Sequence, residues 1–222
     1  MPVLEASVVP EARQGSGLSG LTTQEERIVD AALRCYARWG LAKTTLDDVA
    51  RQAGCSRATI YRVFPGGKDS LIEATVRAEV ARFLRVEAAA LEQCDALDDL
   101  LVTAISTAAR HLAQHEALQY LLANEPEVIL PVVAFSRMDN VYAIVRQFLA
   151  PYLAPHLAQH LGADEAPRAA EWVARLTVSY ALCPSDAYDL CDPDAVRRLV
   201  RTYVLPGLGD PVSAVSQTTS KG

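Results

Sequence analysis

Three helix signals crowd between Gly40 and Leu71, in the run GLAKTTLDDVARQAGCSRATIYRVFPGGKDSL, and they leave this chain few folds to choose from. An amphipathic helix ends at Trp39-Gly40. Thr44-Thr45 then precede Leu46, Val49, Ala50 and Ala53, whose spacing gives a second helix an apolar face. A tight Gly54-Cys55 turn follows, and Ser56 opens a third helix that runs through Val63. Two short helices joined by a few-residue turn containing Gly, and set roughly at a right angle, form a helix-turn-helix.

The residues suit those positions chemically. Thr45 with Asp48 three places on fits an N-terminal capping pattern, with Asp standing for the usual Glu or Gln. Gly54 falls where the second helix ends and a left-handed backbone costs Gly least. Ser56 has a hydroxyl to accept an otherwise free backbone N–H of the third helix. That helix offers Arg57, Thr59, Tyr61 and Arg62 as polar groups, with Ala58, Ile60, Val63 and Phe64 as small or apolar surface. Arg suits bidentate contact with guanine in the major groove, whereas Tyr, Thr and Lys commonly reach phosphate oxygens. DNA binding is the function these residues predict.

The spaced residues Thr45, Val49, Ala50, Ala53, Gly54, Ser56, Thr59, Ile60, Tyr61, Phe64, Lys68 and Leu71 together resemble the DNA-binding domain of TetR-type transcriptional regulators. The likeness covers about 50 residues. Two departures stand in it: Pro65-Gly66-Gly67 is one residue longer than the commoner loop, and Ala58 replaces a frequent Gly. The resemblance implies an all-α homodimer whose C-terminal body encloses a ligand pocket and pairs through its last two long helices. It also implies double-stranded operator DNA as partner, contacted by Thr44, Thr45, Ser56, Arg57, Ala58, Thr59, Tyr61, Arg62 and Lys68. Arg57 is the expected base reader, with Thr59 and Arg62 beside it, and Thr45, Tyr61 and Lys68 are the expected phosphate contacts.

A net charge of −6 argues against nucleic acid until its distribution is examined. Residues 1–70 carry 9 Lys and Arg against 8 Asp and Glu, while residues 71–222 carry 12 against 19. Within 41–68 the balance is 5 basic to 2 acidic, a small basic surface on an acidic body. No run of apolar residues is long enough for a membrane span, and the N-terminus lacks the pattern of a signal peptide. Five scattered cysteines suit small buried hydrophobes better than disulfides. A cytoplasmic location is expected.

Four segments are expected: a flexible arm at 1–21, the helix-turn-helix domain at 22–67, a helical ligand-binding and dimerisation domain at 68–209, and a disordered tail at 210–222. Helix 1 should start at Thr22-Thr23, with Glu26 closing a capping box on Thr23. A long helix from Lys68 to Leu91 would span roughly 35 Å. Further helices are expected over Asp95–His115, capped by Asp95 or Asp98, and over Glu116–Asn124. Between Glu127 and Leu161 the prolines 131, 151 and 155 predict short or kinked helices. Ala166–Leu182 and Asp194–Val204 complete an all-α chain without strand alternation, repeats or heptads. Trp172, Val173, Leu176, Val178, Tyr180 and Leu182 ring the penultimate helix, as a dimer interface would require.

Apolar and aromatic residues around the proline breaks are the candidate ligand lining: Leu112, Leu121, Val128, Val132, Phe135, Tyr142, Phe148, Trp172 and Tyr180. They favour a hydrophobic or lipid-like effector over a sugar or nucleotide. All four histidines fall in i, i+4 pairs, His111 with His115 and His156 with His160, the spacing of two ligands on one helical face. No third ligand at a telling spacing completes a site, so no metal is assigned, and a metal-responsive regulator is the alternative reading. Pro65-Gly66-Gly67-Lys68 lacks the length and the following Ser or Thr of a phosphate loop. No catalytic residues and no cofactor are expected. The combined expectation is a repressor that binds a near-palindromic operator as a homodimer and is released by a hydrophobic small molecule.

Overall fold

The computed structural model describes residues 21–131, 138–158 and 162–208. Most of the expected arm, the tail from Asp210, and the candidates Val132, Phe135 and His160 lie outside the described residues.

Ten α-helices of six residues or more follow one another among the described residues, with a 3-10 turn at Ala163–Glu165 before the ninth, and the one β-bridge there pairs Ser185 with Tyr188. They are α1 Thr23–Lys43, α2 Leu46–Ala53, α3 Arg57–Val63, α4 Lys68–Leu91, α5 Leu97–Gln114, α6 Glu116–Asn124, α7 Pro126–Pro131, α8 Met138–Leu157, α9 Ala166–Leu182 and α10 Pro193–Leu199. A π turn, Val200–Val204, and a short helical stretch, Leu205–Gly207, continue α10. The fold is all-α, with a helix-turn-helix near its N-terminus.

The chain divides into two compact units. One holds the described residues up to Cys35 together with Thr44–Arg85; the other holds Tyr36–Lys43 and the described residues from Val86 onward. Helix α4 therefore belongs to both, the change falling between Arg85 and Val86.

In the first unit α1 opens on a capping box one residue earlier than expected. Glu25 N–H donates to Thr22 Oγ1, and Thr22 N–H donates back to Glu25 Oε2. The sequence TTQEE holds two overlapping boxes, and the one used adds a residue to the helix. Ile28, Val29, Ala31, Ala32 and Cys35 are buried on α1, as are Leu46, Val49, Ala50 and Ala53 on α2, Ile60 on α3, and Leu71 and Ala74 on α4. Arg82 ties α4 to α1 through Asp30 and also pairs with Glu79 on its own helix.

In the second unit α8 lies along α9, and α5 packs on both α9 and α10. The core there includes Leu100, Leu101 and Ile105 of α5, Leu149, Leu153 and Leu157 of α8, and Val173 of α9. Where short or kinked helices were expected, α7 is short and ends at Pro131, but α8 runs on through Pro151 and Pro155 as one helix of 20 residues. Both prolines are exposed and four residues apart, so they share one face of the helix, while Leu149, Leu153 and Leu157 pack the opposite side into the core.

Helix α5 also departs from expectation. Its N-cap is Ala96, which makes no side-chain bond, and neither Asp95 nor Asp98 caps it. Within the first turn Asp98 Oδ1 accepts from Asp99 N–H at 3.0 Å, while its Oδ2 accepts from Arg201 at 2.7 Å and Asp99 accepts from Arg197 at 2.7 Å. The Arg201 hydrogen bond is the main cause that lowers the Asp98 pKa. The last element buries Val196, Val200 and Val204 completely and Leu208 nearly so, a single row of residues four apart that crosses the π turn. Val200 thus serves the interior of one chain and is no probe of a dimer surface. The cysteines are free, with Cys35 buried, Cys183 exposed and the other three between.

Candidate nucleic-acid interface

Helices α2 and α3 pack together across a turn whose conformation the sequence dictates. Gly54 takes the left-handed conformation, φ 62° and ψ 41°, and its N–H donates to the carbonyls of Ala50 and Arg51. An L side chain there would be strained by the backbone alone. Thr45 caps α2: Asp48 N–H donates to Thr45 Oγ1 at 3.2 Å, and Thr45 N–H donates to Asp48 Oδ2 at 3.1 Å. Asp thus does here what Glu usually does, and these bonds from Thr45, with Arg51 nearby, hold the Asp48 carboxyl below its ordinary pKa.

Ser56 caps α3, accepting from Thr59 N–H at 3.1 Å, and its hydroxyl lies 2.9 Å from that of Thr59. Replacing Ser56 by Ala should lower global stability by about 1 kcal/mol, as loss of an N-cap does. Urea unfolding of the two proteins measures this, and equal midpoints would show the cap to be idle.

Helix α3 has one buried and one exposed side. Ile60 is fully buried, whereas Ser56, Arg57, Ala58, Tyr61 and Arg62 are exposed and Thr59 half-buried. Arg57 is already oriented: its Nη1 donates to Asp47 Oδ2 at 2.9 Å and its Nη2 to the Tyr61 hydroxyl at 3.3 Å. The guanidinium also stands 5.5 Å from the Tyr61 ring centroid. The Tyr61 hydrogen bond and the Asp47 charge both raise the Arg57 pKa, so it is cationic at any relevant pH. Asp47 was not foreseen in this role, because its contact with Arg57 crosses the turn and no local spacing marks it.

The loop between α3 and α4 turns on Gly67, at φ 65°, where an added Cβ would meet the Tyr61 ring at 3.2 Å. The longer Pro65-Gly66-Gly67 link therefore brings a side-chain-free residue against Tyr61. Lys68 begins α4 and is half-buried, while Thr45 is exposed and Thr44 is only 2% exposed. Of the candidate DNA contacts, Thr44 alone has a side chain withdrawn from the surface.

The candidate ligand residues in the second unit do not converge to the same degree. Phe148 and Tyr180 both pack against the main core, and the Phe148 ring meets that of Tyr152 at a tilt of 50°, centroids 5.5 Å apart. Tyr142 instead joins Ala174, Val141, Val145 and Val178, with the Arg175 guanidinium 4.2 Å from its ring centroid. Leu121 is buried, Leu112 and Val128 are half-buried, and Trp172 is 39% exposed. A shallow groove lined by Arg146, Gln147, Ala150, Pro151, Ala154, Ala166 and Pro167 contains none of these candidates. His111 lies on α5 and His115 is its C-cap, and their rings meet edge to face with centroids 5.9 Å apart. His115 stands at the junction of α5 and α6, where its Nδ1 accepts from Leu118 N–H at 3.1 Å and caps α6. No three potential metal ligands cluster among the described residues.

Comparison with known proteins agrees with the site. The family described as "Bacterial regulatory proteins, tetR family" matches residues 28–75, which run from Ile28 in α1 through the first turns of α4. The uncharacterized HTH-type transcriptional regulator Rv1255c of Mycobacterium tuberculosis is 27% identical over 195 residues, 86% of this chain and 88% of its own length. The HTH-type transcriptional regulator BetI of Brucella suis is 32% identical over 107 residues, 47% of this chain and 52% of its own. In fold the chain is similar to the TetR family repressor AlkX of a Dietzia species, with TM-score 0.59 and 20% identity over 82% of this chain and 95% of that one. It is likewise similar to the fatty acid degradation regulator FadR of Bacillus halodurans, with TM-score 0.61 and 17% identity over 81% and 95%. The helix-turn-helix thus matches the tetR family over residues 28–75, and the relatives Rv1255c and BetI are HTH-type transcriptional regulators.

Proposed function

We propose that the protein is a ligand-responsive repressor that binds a near-palindromic operator as a homodimer and leaves it when a hydrophobic small molecule occupies the second unit. The observation that carries the DNA half of this reading is the exposed face of α3, where Arg57, Tyr61 and Arg62 stand together opposite the buried Ile60. Arg57 and Arg62 are of the type that reads guanine edges, and Tyr61 and Lys68 of the type that holds phosphates. A two-fold dimer would place two copies of α3 in successive major grooves about 34–36 Å apart.

The apolar character of the second unit supports the effector's chemistry. A strongly polar ligand would need several buried hydrogen-bonding partners there, since each unpaired group costs about 1–3 kcal/mol. Release of DNA then requires the ligand to favour one arrangement of the chain over another by differential affinity.

Selection of duplexes from a random pool tests the DNA reading. The selected sequences should be inverted repeats with half-sites one helical turn, or a multiple, apart. Sedimentation of the folded protein should give a dimer at micromolar concentration. The exposed Trp172 on α9 is the better probe of that surface, and Trp172→Arg should shift the equilibrium toward monomer. A wild-type monomer, or selected sites without two-fold symmetry, would sink the dimeric reading.

A further inference from the structure

Helix α1 is interrupted at Gly40, whose φ of 82° and ψ of 174° break the helical path before Leu41, Ala42 and Lys43 resume it. The N–H groups of Leu41 and Ala42 both donate to one oxygen, Glu125 Oε2, at 2.9 and 3.2 Å. Glu125 is 84 residues further along the chain than Leu41 and only 7% exposed. Gly40 is required twice over. Its φ lies where an L side chain is strained, and a Cβ there would stand 2.1 Å from Glu125 Oε1 and 2.6 Å from its Cδ.

The carboxylate is itself held by its backbone. Glu125 ends α6, its N–H donating to the Leu121 carbonyl at 2.8 Å, and its own carbonyl accepts from Val128 N–H at 3.0 Å at the start of α7. The corner between α6 and α7 therefore decides where the carboxylate sits, and the carboxylate decides where the end of α1 sits. Only Lys43 and Thr44 separate that gripped turn from Thr45, the N-cap of α2.

We propose that Glu125 is a positioning residue for DNA binding: by holding Leu41 and Ala42 it fixes the entry of the chain into α2, and with it the presentation of α2 and α3 to the duplex. The role rests on α2 and α3 being the DNA-contacting element. Two N–H groups that share one buried carboxylate oxygen lose both bonds together when the carboxylate goes, so the effect on α2 is cooperative. Glutamine at this position keeps an oxygen that can accept, so it retains the grip without the charge.

The test uses full-length wild type, Glu125→Ala, Glu125→Gln and Gly40→Ala. Amide hydrogen exchange is followed over residues 41–53, with α5 as internal reference, together with affinity at fixed salt for a duplex that the wild type selects from a random pool. Loss of two buried charge-assisted bonds should speed exchange over 41–53 by about tenfold or more in Glu125→Ala and weaken DNA binding by a similar factor, with α5 unaltered. Gly40→Ala should reproduce both effects with Glu125 intact, and Glu125→Gln should stay within about threefold of wild type. Faster exchange with unaltered DNA affinity would confine Glu125 to the fold and overturn the proposal. So would an affinity loss that appears only alongside lost protection in α5, or no change in either alanine variant. Failure of the underlying reading looks different: Arg57→Ala would then leave affinity and base preference as they are in wild type.

Discussion

Between pH 5 and pH 8 the protein should lose about 3 kcal/mol of stability that a Glu87→Gln variant retains, because Glu87 is buried with its carboxyl pKa pushed up to about 8 from an ordinary 4.5. Burial is the larger cause, and the Arg110 charge only partly opposes it. The sign follows from proton counting. Over this interval the unfolded chain has released the Glu87 proton and the folded chain still holds it, so rising pH favours unfolding. The decline starts near the unfolded value and ends once pH passes the folded one. Glu87 Oε2 has no hydrogen-bond partner among the described residues, so no hydrogen bond to that oxygen offsets the cost of ionising it. Urea unfolding of both proteins at pH 5 and pH 8 provides the measurement. A wild-type-minus-variant difference that is equal at the two pH values would show that Glu87 ionises freely in the fold.

Arg57→Ala should weaken binding to the selected operator by about 1–3 kcal/mol and relax preference at one base position of each half-site. The pairing of Arg57 with Asp47 raises the question of whether the guanidinium is already spent. Both side chains are more than half exposed, and ion pairs of that kind contribute roughly 0–1 kcal/mol. A bidentate guanine contact is worth more, so the arginine exchanges Asp47 for a base at a net gain. Tyr61→Phe removes a hydroxyl that accepts from Arg57 and should weaken binding to all sequences alike. Binding isotherms at one salt concentration, repeated on duplexes altered at single positions, separate the two effects. Unaltered affinity and unaltered base preference in Arg57→Ala would remove it from the interface.

The helix-turn-helix was legible because its determinants are local. Thr45 with Asp48, Gly54, and Ser56 with Thr59 each act within three or four residues, which is the range over which sequence spacing speaks. Where two local patterns overlapped, as in Thr22-Thr23 with Glu25-Glu26, spacing could not choose between them. Proline was over-read: Pro151 and Pro155 carry a breaking signal, but their shared exposed face lets α8 continue along its packed side. Asp98 was read as a cap because its first-turn position suits one; it does accept from Asp99 N–H at 3.0 Å, but its other oxygen is held by Arg197 and Arg201, about a hundred residues away. Glu87 did leave a trace, since it sits four residues from both Phe83 and Leu91 and so falls in the apolar stripe of α4. Glu125 left none. Its partners are the backbone N–H groups of a distant turn, which every sequence possesses.

The π turn at Val200–Val204 has a consequence for how this chain tolerates a change in its length. In a regular α-helix a residue four places on leads its predecessor by about 40°, so a row such as Val196, Val200, Val204 and Leu208 would wind off the buried side. The wider i→i+5 turn takes up one surplus residue and turns the row back, which keeps all four inside. That surplus is the geometric mark of a single-residue insertion accommodated without moving what comes before or after it. Deleting the exposed Arg201 would let the segment wind as ordinary α-helix, shortening the chain while Val196 of α10 and Leu208 keep their places in the core.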